Sequence, residues 1–311
     1  MFMPVSAPQK TLKAPIHCTG IGLHSGVKAA LTLRPAPVDT GILFRRVDGA
    51  NGAVEITAHW SNALESSLCT MLTDGKGNSI LTIEHLMSAL AGCGIDNCVV
   101  EIIGPEVPVM DGSSAPFVFL IECAGTVEQH APRQAIKVLK PVQVGDDRAW
   151  CSLEPDDQFS VEFEIDFASK IISRQTASLT VDPDSYKQAI SRARTFGFLK
   201  DVDQLRAAGR ALGASLDNAV VIDGDTVMNE GGLRYPDEFV RHKVLDAVGD
   251  LYMAGGPLLA RFRGMRSSHA LTRRLLATLF ADRDAWTILP LGGVPSFALQ
   301  GWDEPARALS A

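Results

Sequence analysis

Positive charge is scarce in this 311-residue chain: 29 Lys and Arg stand against 36 Asp and Glu, a net charge of −7. Affinity for phosphate backbones needs a basic surface, so general nucleic-acid binding is excluded. A small anionic substrate is not, because a few local Arg or Lys side chains can hold one. Long apolar runs are lacking as well. No stretch reaches eighteen apolar residues, and residues 1–15 contain no apolar run of signal-peptide length. That argues against stable membrane insertion and points to a soluble, cytoplasmic protein. Closely spaced cysteines are missing: Cys18, Cys69, Cys93, Cys98, Cys123 and Cys151 form no Cys-x-x-Cys, so reduced, mostly buried thiols are expected. Neither heptads nor a long exposed apolar stripe demand a partner chain, and a monomer is expected.

Familiar catalytic signatures are absent too. There is no His-Glu-x-x-His, and the inverted His-x-x-Glu-His would need histidine where Leu81 stands. Gly20-Ile21-Gly22-Leu23-His24-Ser25-Gly26 has one residue too many before its third glycine for a dinucleotide loop. No phosphate-binding loop ending in Gly-Lys-Ser/Thr exists, which leaves nucleotide hydrolysis unsupported.

What is present is ordinary globular composition, 46% hydrophobic and 21% charged, over a length that suits one large domain or two of about 150 residues. Short strands bounded by Pro and Gly are expected at 27–33, 41–46 and 97–104, with helices over 82–93 and 114–124. The polar, proline-containing stretch 130–133 reads as a linker between a domain at 1–130 and a domain at 131–311. Strands are expected again at 135–139 and at 159–167, where apolar and polar residues alternate strictly. Helices are expected over 182–192, from Pro236 to the Gly255-Gly256 pair, and over 268–281. Residues 197–224 read as strand, helix (203–212), strand. Grouped rather than alternating elements favour α+β over doubly wound α/β. No internal sequence repeat is visible.

One spacing carries chemistry. His242 and Asp246 are four residues apart and share a helix face, with Asp250 about 80° round the same side. Two carboxylates and an imidazole there are costly unless something cationic is bound. His85, in Thr82-Ile83-Glu84-His85, adds a second imidazole. Two imidazoles and one carboxylate suit catalytic zinc with an open fourth position. Glu84, beside a ligand but not one itself, is placed to take a proton from an attacking water. From spacing alone the bland alternatives stay open: a satisfied core histidine for His85, a surface ion pair for His242 with Asp246.

Eight further matches fall in order along nearly the whole chain: Thr19-Gly20-Ile21-Gly22-Leu23-His24-Ser25-Gly26, Leu33-Arg34-Pro35-Ala36-Pro37, Thr82-Ile83-Glu84-His85-Leu86, Gly94-Ile95-Asp96-Asn97, Val109-Met110-Asp111-Gly112-Ser113, Arg194-Thr195-Phe196-Gly197-Phe198, Ser215-Leu216-Asp217-Asn218-Ala219 and Glu238-Phe239-Val240-Arg241-His242-Lys243-Val244-Leu245-Asp246. With these segments the chain closely resembles the UDP-3-O-acyl-N-acetylglucosamine deacetylases, zinc amidases that commit the pathway to lipid A.

The resemblance implies two similar layered domains, each a sheet packed with two helices, with the active site between them. It implies that His85, His242 and Asp246 hold zinc, or ferrous iron in the cell, and that Glu84 is the general base. Thr195 would help stabilise the oxyanion. His269 would be the general acid, with Asp250 orienting and charging its ring against the helix dipole. Lys243 would face the substrate, Phe196 would line the sugar site, and Arg266, where a Lys is usual, would hold the UDP diphosphate. Phe167 is a weaker candidate for packing on uracil; His24 and Asp111 are candidates for orienting His85. The segment at about 197–224 would form an apolar passage for the fatty acyl chain, drawing on Phe198, Leu199, Leu205, Leu212, Val220 and Ile222. Two departures stand out: Ser268 replaces the usual Gly before His269, and Thr272-Arg273 replace a pair of Asn, expected on a helix surface. The competing readings are a zinc amidohydrolase acting on a simpler N-acetyl sugar, and an inactive binder of acylated sugar nucleotides.

Overall fold

A computed structural model of the chain describes residues 6–49, 52–64 and 68–292. The first sheet takes strands Ile16–Ile21, Lys28–Pro35, Cys98–Ile103, Ile42–Arg46 and Val54–Thr57 in that spatial order. Every neighbouring pair is antiparallel except Cys98–Ile103 with Ile42–Arg46, which is parallel. Alternation sets the faces: Ala29, Leu31 and Leu33 point into the core while Lys28, Ala30 and Thr32 do not. Helix α1 (Glu84–Gly92) precedes the central strand and helix α2 (Ala115–Ala124) follows it. Strands Pro8–Leu12 and Thr126–Pro132 open and close this half by pairing with each other.

The second half begins at Gln134–Val138 and repeats the plan. Strands Val142–Gly145, Trp150–Pro155, Leu258–Met265, Phe159–Asp166 and Arg174–Thr180 lie side by side, and again only the third and fourth run parallel. Here too the opening strand pairs antiparallel with the closing one, Trp286–Pro290. Between the fifth strand and the central helices comes an insertion. It contains α3 (Pro183–Ala189), a strand Phe196–Phe198, α4 (Leu199–Ala207), and strands Val220–Asp223 and Thr226–Val227. Helix α5 (Glu238–Tyr252) then precedes the central strand, and α6 (His269–Ala281) follows it.

The fold is therefore α+β, as expected, and the two halves share one topology without a detectable sequence repeat. Eight of the nine residues of α1 and thirteen of the fifteen of α5 are buried. Helices buried on nearly every side belong at the centre, and these two pack against each other. A Cβ on Gly249 would lie 2.1 Å from the Glu84 carbonyl oxygen. Only glycine lets the two backbones approach this closely.

The structure corrects two local expectations. Residues 130–132 belong to the strand Thr126–Pro132, whose ladder with Pro8–Leu12 overrides the polar composition of a linker. The chain crosses between the halves at Arg133, whose N–H and carbonyl bond Ala7 and Leu291 and whose guanidinium bonds Asp96 at 2.7 Å. Helix α4 starts at Leu199 rather than at 203.

Candidate metal centre

Helix α1 begins with the two residues of interest. Just before it, Thr82 sits at φ +58°, an unfavourable conformation for a β-branched residue. Its hydroxyl donates to Glu106 at 2.7 Å, and the same buried carboxylate accepts the backbone N–H groups of His24 and Ser25. The strained turn is thereby held, and it delivers Glu84 and His85 to the first turn of the helix. On α5, His242, Asp246 and Asp250 stand on the face turned to α1. All five side chains are buried.

The two imidazoles and one carboxylate converge. His242 Nε2 lies 3.3 Å and His85 Nε2 3.7 Å from the same oxygen, Asp246 Oδ1. One ligand atom from each of the three lies within 4.8 Å of the others. Burial, and then the neighbouring His242, push the His85 imidazole down to about 3, and burial lowers His242 as well. Both rings are therefore neutral, with lone pairs to give. Burial alone would favour the protonated form of Asp246, but His242, Lys243, His269 and His85 together hold it well below the usual carboxylate range. His242 Nδ1–H donates to the Ala193 carbonyl at 3.1 Å, which fixes its tautomer and turns Nε2 to the centre. Asp246 Oδ1 and His85 Nδ1 are buried and have no hydrogen-bond partner. Lys243 pairs with the other oxygen, Asp246 Oδ2, which leaves Oδ1 and the two neutral nitrogens as buried lone pairs that a cation would satisfy. The residues fit a zinc-type metal ion.

Around this set stand further titratable groups. Glu84 Oε2 accepts the Thr70 N–H at 3.0 Å. Burial pushes the Glu84 carboxyl up to about 8; Asp246 and Asp250 add to this, while His269 opposes it. His269 Nδ1 bonds Asp250 Oδ2 at 2.7 Å, and its Nε2 faces Asp246 Oδ2 at 3.9 Å. Burial alone would lower His269, but the charge and hydrogen bond of Asp250 raise it to about 9.

Thr195 is half-buried, with its N–H on Gly112 and its carbonyl on Val220. It lies between Ala193, which accepts from His242, and Phe196, whose ring meets His242 edge-on at 6.3 Å. Phe196 also packs on Phe239, Phe167 and, through Phe167, Phe198, so Phe167 is joined to an aromatic cluster. Arg266 is exposed at the end of its strand, at φ +50°.

Three expectations change. Lys243 Nζ is turned to the ligand set and bonds Asp246 Oδ2 at 2.7 Å. The two candidates for orienting His85 are engaged elsewhere: His24 Nδ1 accepts from Ala211, and Asp111 pairs with Arg234 at 2.9 Å. In the 197–224 segment Val220 and Ile222 are fully buried, whereas Leu199 and Leu212 are exposed and α4 buries nothing. Residues that local reasoning missed are Thr70, Gly249, and the buried Glu238, which grips Arg194 beside Thr195 at 2.8 Å. Each acts across a long sequence separation, which leaves no local signal.

The family profile described as UDP-3-O-acyl N-acetylglycosamine deacetylase matches residues 9–281. The chain belongs to this deacetylase family. A protein named UDP-3-O-acyl-N-acetylglucosamine deacetylase from Thioalkalivibrio sulfidiphilus is 52% identical over 302 residues, covering 96% of this chain and 99% of the relative. One of the same name from Pseudomonas entomophila is 50% identical over 90% of this chain and 93% of its own length. A third, from Acidithiobacillus ferrooxidans, is 52% identical over 89% and 91%. Against the deacetylase pattern, Ser268 serves as the N-cap of α6, accepting from Leu271 N–H at 3.3 Å. Thr272 and Arg273 do not sit on an open helix surface: Thr272 is buried, and Arg273 reaches the Ala63 carbonyl at 2.7 Å.

Proposed function

We propose that this deacetylase-family enzyme hydrolyses the acetamide of a UDP-3-O-(3-hydroxyacyl)-N-acetylglucosamine to the free amine and acetate, the committed step of lipid A biosynthesis, in the cytoplasm. The observation that carries the reading is the unpartnered Asp246 Oδ1 facing two neutral imidazoles, with Glu84 and the Asp250–His269 pair around it. His85, His242 and Asp246 would hold the metal, zinc or ferrous iron by donor type. A metal ion there supplies Lewis acidity to the attacking water and the amide carbonyl.

Glu84 takes the proton from the attacking water. A carboxyl pushed up to about 8 by burial is a strong base in its ionised form. Thr195 donates its hydroxyl to the developing oxyanion. His269, raised to about 9, is protonated at neutral pH. With Nδ1–H committed to Asp250, it passes the Nε2 proton to the amine nitrogen as the carbon–nitrogen bond breaks. Lys243, held at the ligand set by Asp246, meets the substrate there, Phe196 lines the sugar site, Arg266 grips the diphosphate bidentately, and the insertion at about 197–224 takes the acyl chain along the exposed Leu199 and Leu212. We also read the chain as a monomer of two domains with the site between them, the boundary expected at 130/131 falling instead at Arg133, after the strand Thr126–Pro132 ends.

Acetate release from the acylated UDP-sugar, measured with and without a chelator and after zinc is restored, tests this. Turnover lost on chelation and recovered with zinc is expected. Fully zinc-loaded protein that leaves this substrate intact but deacetylates a simpler N-acetyl sugar would remove the nucleotide assignment.

A further inference from the structure

Thr70 makes four polar contacts that join elements far apart in the chain. Its carbonyl accepts from Ile83 N–H at 3.3 Å and its N–H donates to Glu84 Oε2 at 3.0 Å, which ties its backbone to the start of α1. Its hydroxyl donates to Asp250 Oδ1 on α5 and lies 3.2 Å from His269 Nδ1 at the start of α6. Glu84, Asp250 and His269 are 14, 180 and 199 residues away. Thr70 is itself buried.

The proton count fixes the directions. An ionised carboxylate only accepts, so the single hydroxyl proton of Thr70 goes to Asp250 Oδ1. His269 Nδ1 then carries the hydrogen that reaches Asp250 Oδ2 at 2.7 Å, and Thr70 Oγ1 is a second acceptor beside it. With both oxygens of Asp250 engaged, the carboxylate cannot rotate, and Nε2 of His269 stays aimed at the metal ligands.

We propose that Thr70 is a positioning residue that holds the proposed base and the proposed acid in register across the two halves. The proposal rests on the deacetylase reading above. The plainer alternative is that the hydroxyl only satisfies a buried carboxylate oxygen. That role would affect stability and not the chemical step.

Thr70→Val keeps the shape and the N–H bond to Glu84 and removes the hydroxyl. It is expected to lower kcat about 10–100-fold with KM and bound zinc unchanged, and Thr70→Ser is expected to restore most of the loss. The Nδ1–H proton resonance of His269, identified by its disappearance in His269→Gln, should persist in wild type and Thr70→Ser and be lost to exchange in Thr70→Val. Wild-type kcat in Thr70→Val, or kcat falling only together with thermal stability and zinc content, overturns the proposal. If the wild-type protein releases no acetate, the deacetylase reading fails. The His269 resonance then decides the role of Thr70, and an unchanged signal in Thr70→Val overturns it.

Discussion

In the N-terminal half the segment between the fifth strand and the first central helix spans 58–83 and carries Thr70; in the C-terminal half the corresponding segment spans 181–237 and carries Thr195. Both insertions leave the repeated topology at the same point; Thr70 bonds Glu84 on α1 and Asp250 on α5, and Thr195 lies two residues after Ala193, whose carbonyl accepts from His242 on α5. The halves differ in what the helices give. Helix α1 places Glu84 and His85 in its first turn, where the dipole favours an ionised carboxylate. Helix α5 presents His242, Asp246 and Asp250 along its middle. Among the described residues, the set of two imidazoles and a carboxylate that converges on one point takes His85 from one half and His242 and Asp246 from the other. A duplicated scaffold supplied two stacked helices, and the chemistry lies in how they differ.

The strongest way to break this division of labour is to remove the N-terminal half's proposed base. Glu84→Gln is expected to lower turnover about 10²–10⁴-fold while zinc, measured by mass spectrometry, stays bound. On the C-terminal side, His269→Gln tests the acid through the pH profile. In the proposed mechanism the active form has Glu84 deprotonated and His269 protonated. The rate therefore rises with pH through the Glu84 ionisation, which a bound cation moves below about 8, and falls above about 9 as His269 loses its proton. In His269→Gln, kcat/KM is expected to drop and its alkaline fall to vanish; a variant that keeps the fall would assign that limb to another group.

A milder change acts on the contact between halves. Gly249→Ala places a methyl against the Glu84 carbonyl, so the helices must separate. A loss of about 1–3 kcal/mol in unfolding free energy, with weaker zinc affinity in a chelator titration, is expected. The smallest effect belongs to the crossing point. Arg133→Ala removes the charge-assisted bond to Asp96 and should cost about 1–2 kcal/mol in denaturant melts while kcat/KM is unchanged. A change in kcat/KM there would mean that the crossing controls the site.

Legibility in the sequence follows contact distance. His242 and Asp246 were readable because one helical turn converts a spacing of four into a shared face, and Asp250 lies on the same side. The burial of Val161, Phe163 and Ile165 followed from strict alternation in one strand. The strand Thr126–Pro132 was misread because its partner, Pro8–Leu12, is more than a hundred residues away, and composition alone suggests a linker. Thr272 was misplaced on a surface for a similar reason: its helix position says nothing of the cavity it lines with Asp246 and His269. The topological repeat was invisible because strand ladders and helix packing need only the same apolar pattern, not the same residues.

By itself, then, the sequence determined the α+β class, most element positions, the ligand face of α5 and, through its motifs, the family. Each of these is written in local periodicity or in contiguous segments. Only the tertiary structure decided that His85 meets His242 and Asp246 on one oxygen, that Asp250 bonds His269 closely enough to raise it against burial, and that Thr70 touches both Glu84 and Asp250. These are outcomes of burial and of contacts spanning 14 to 199 residues. Desolvation and charge at a few ångströms depend on which surfaces face each other, and that is fixed only when the two halves close on α1 and α5.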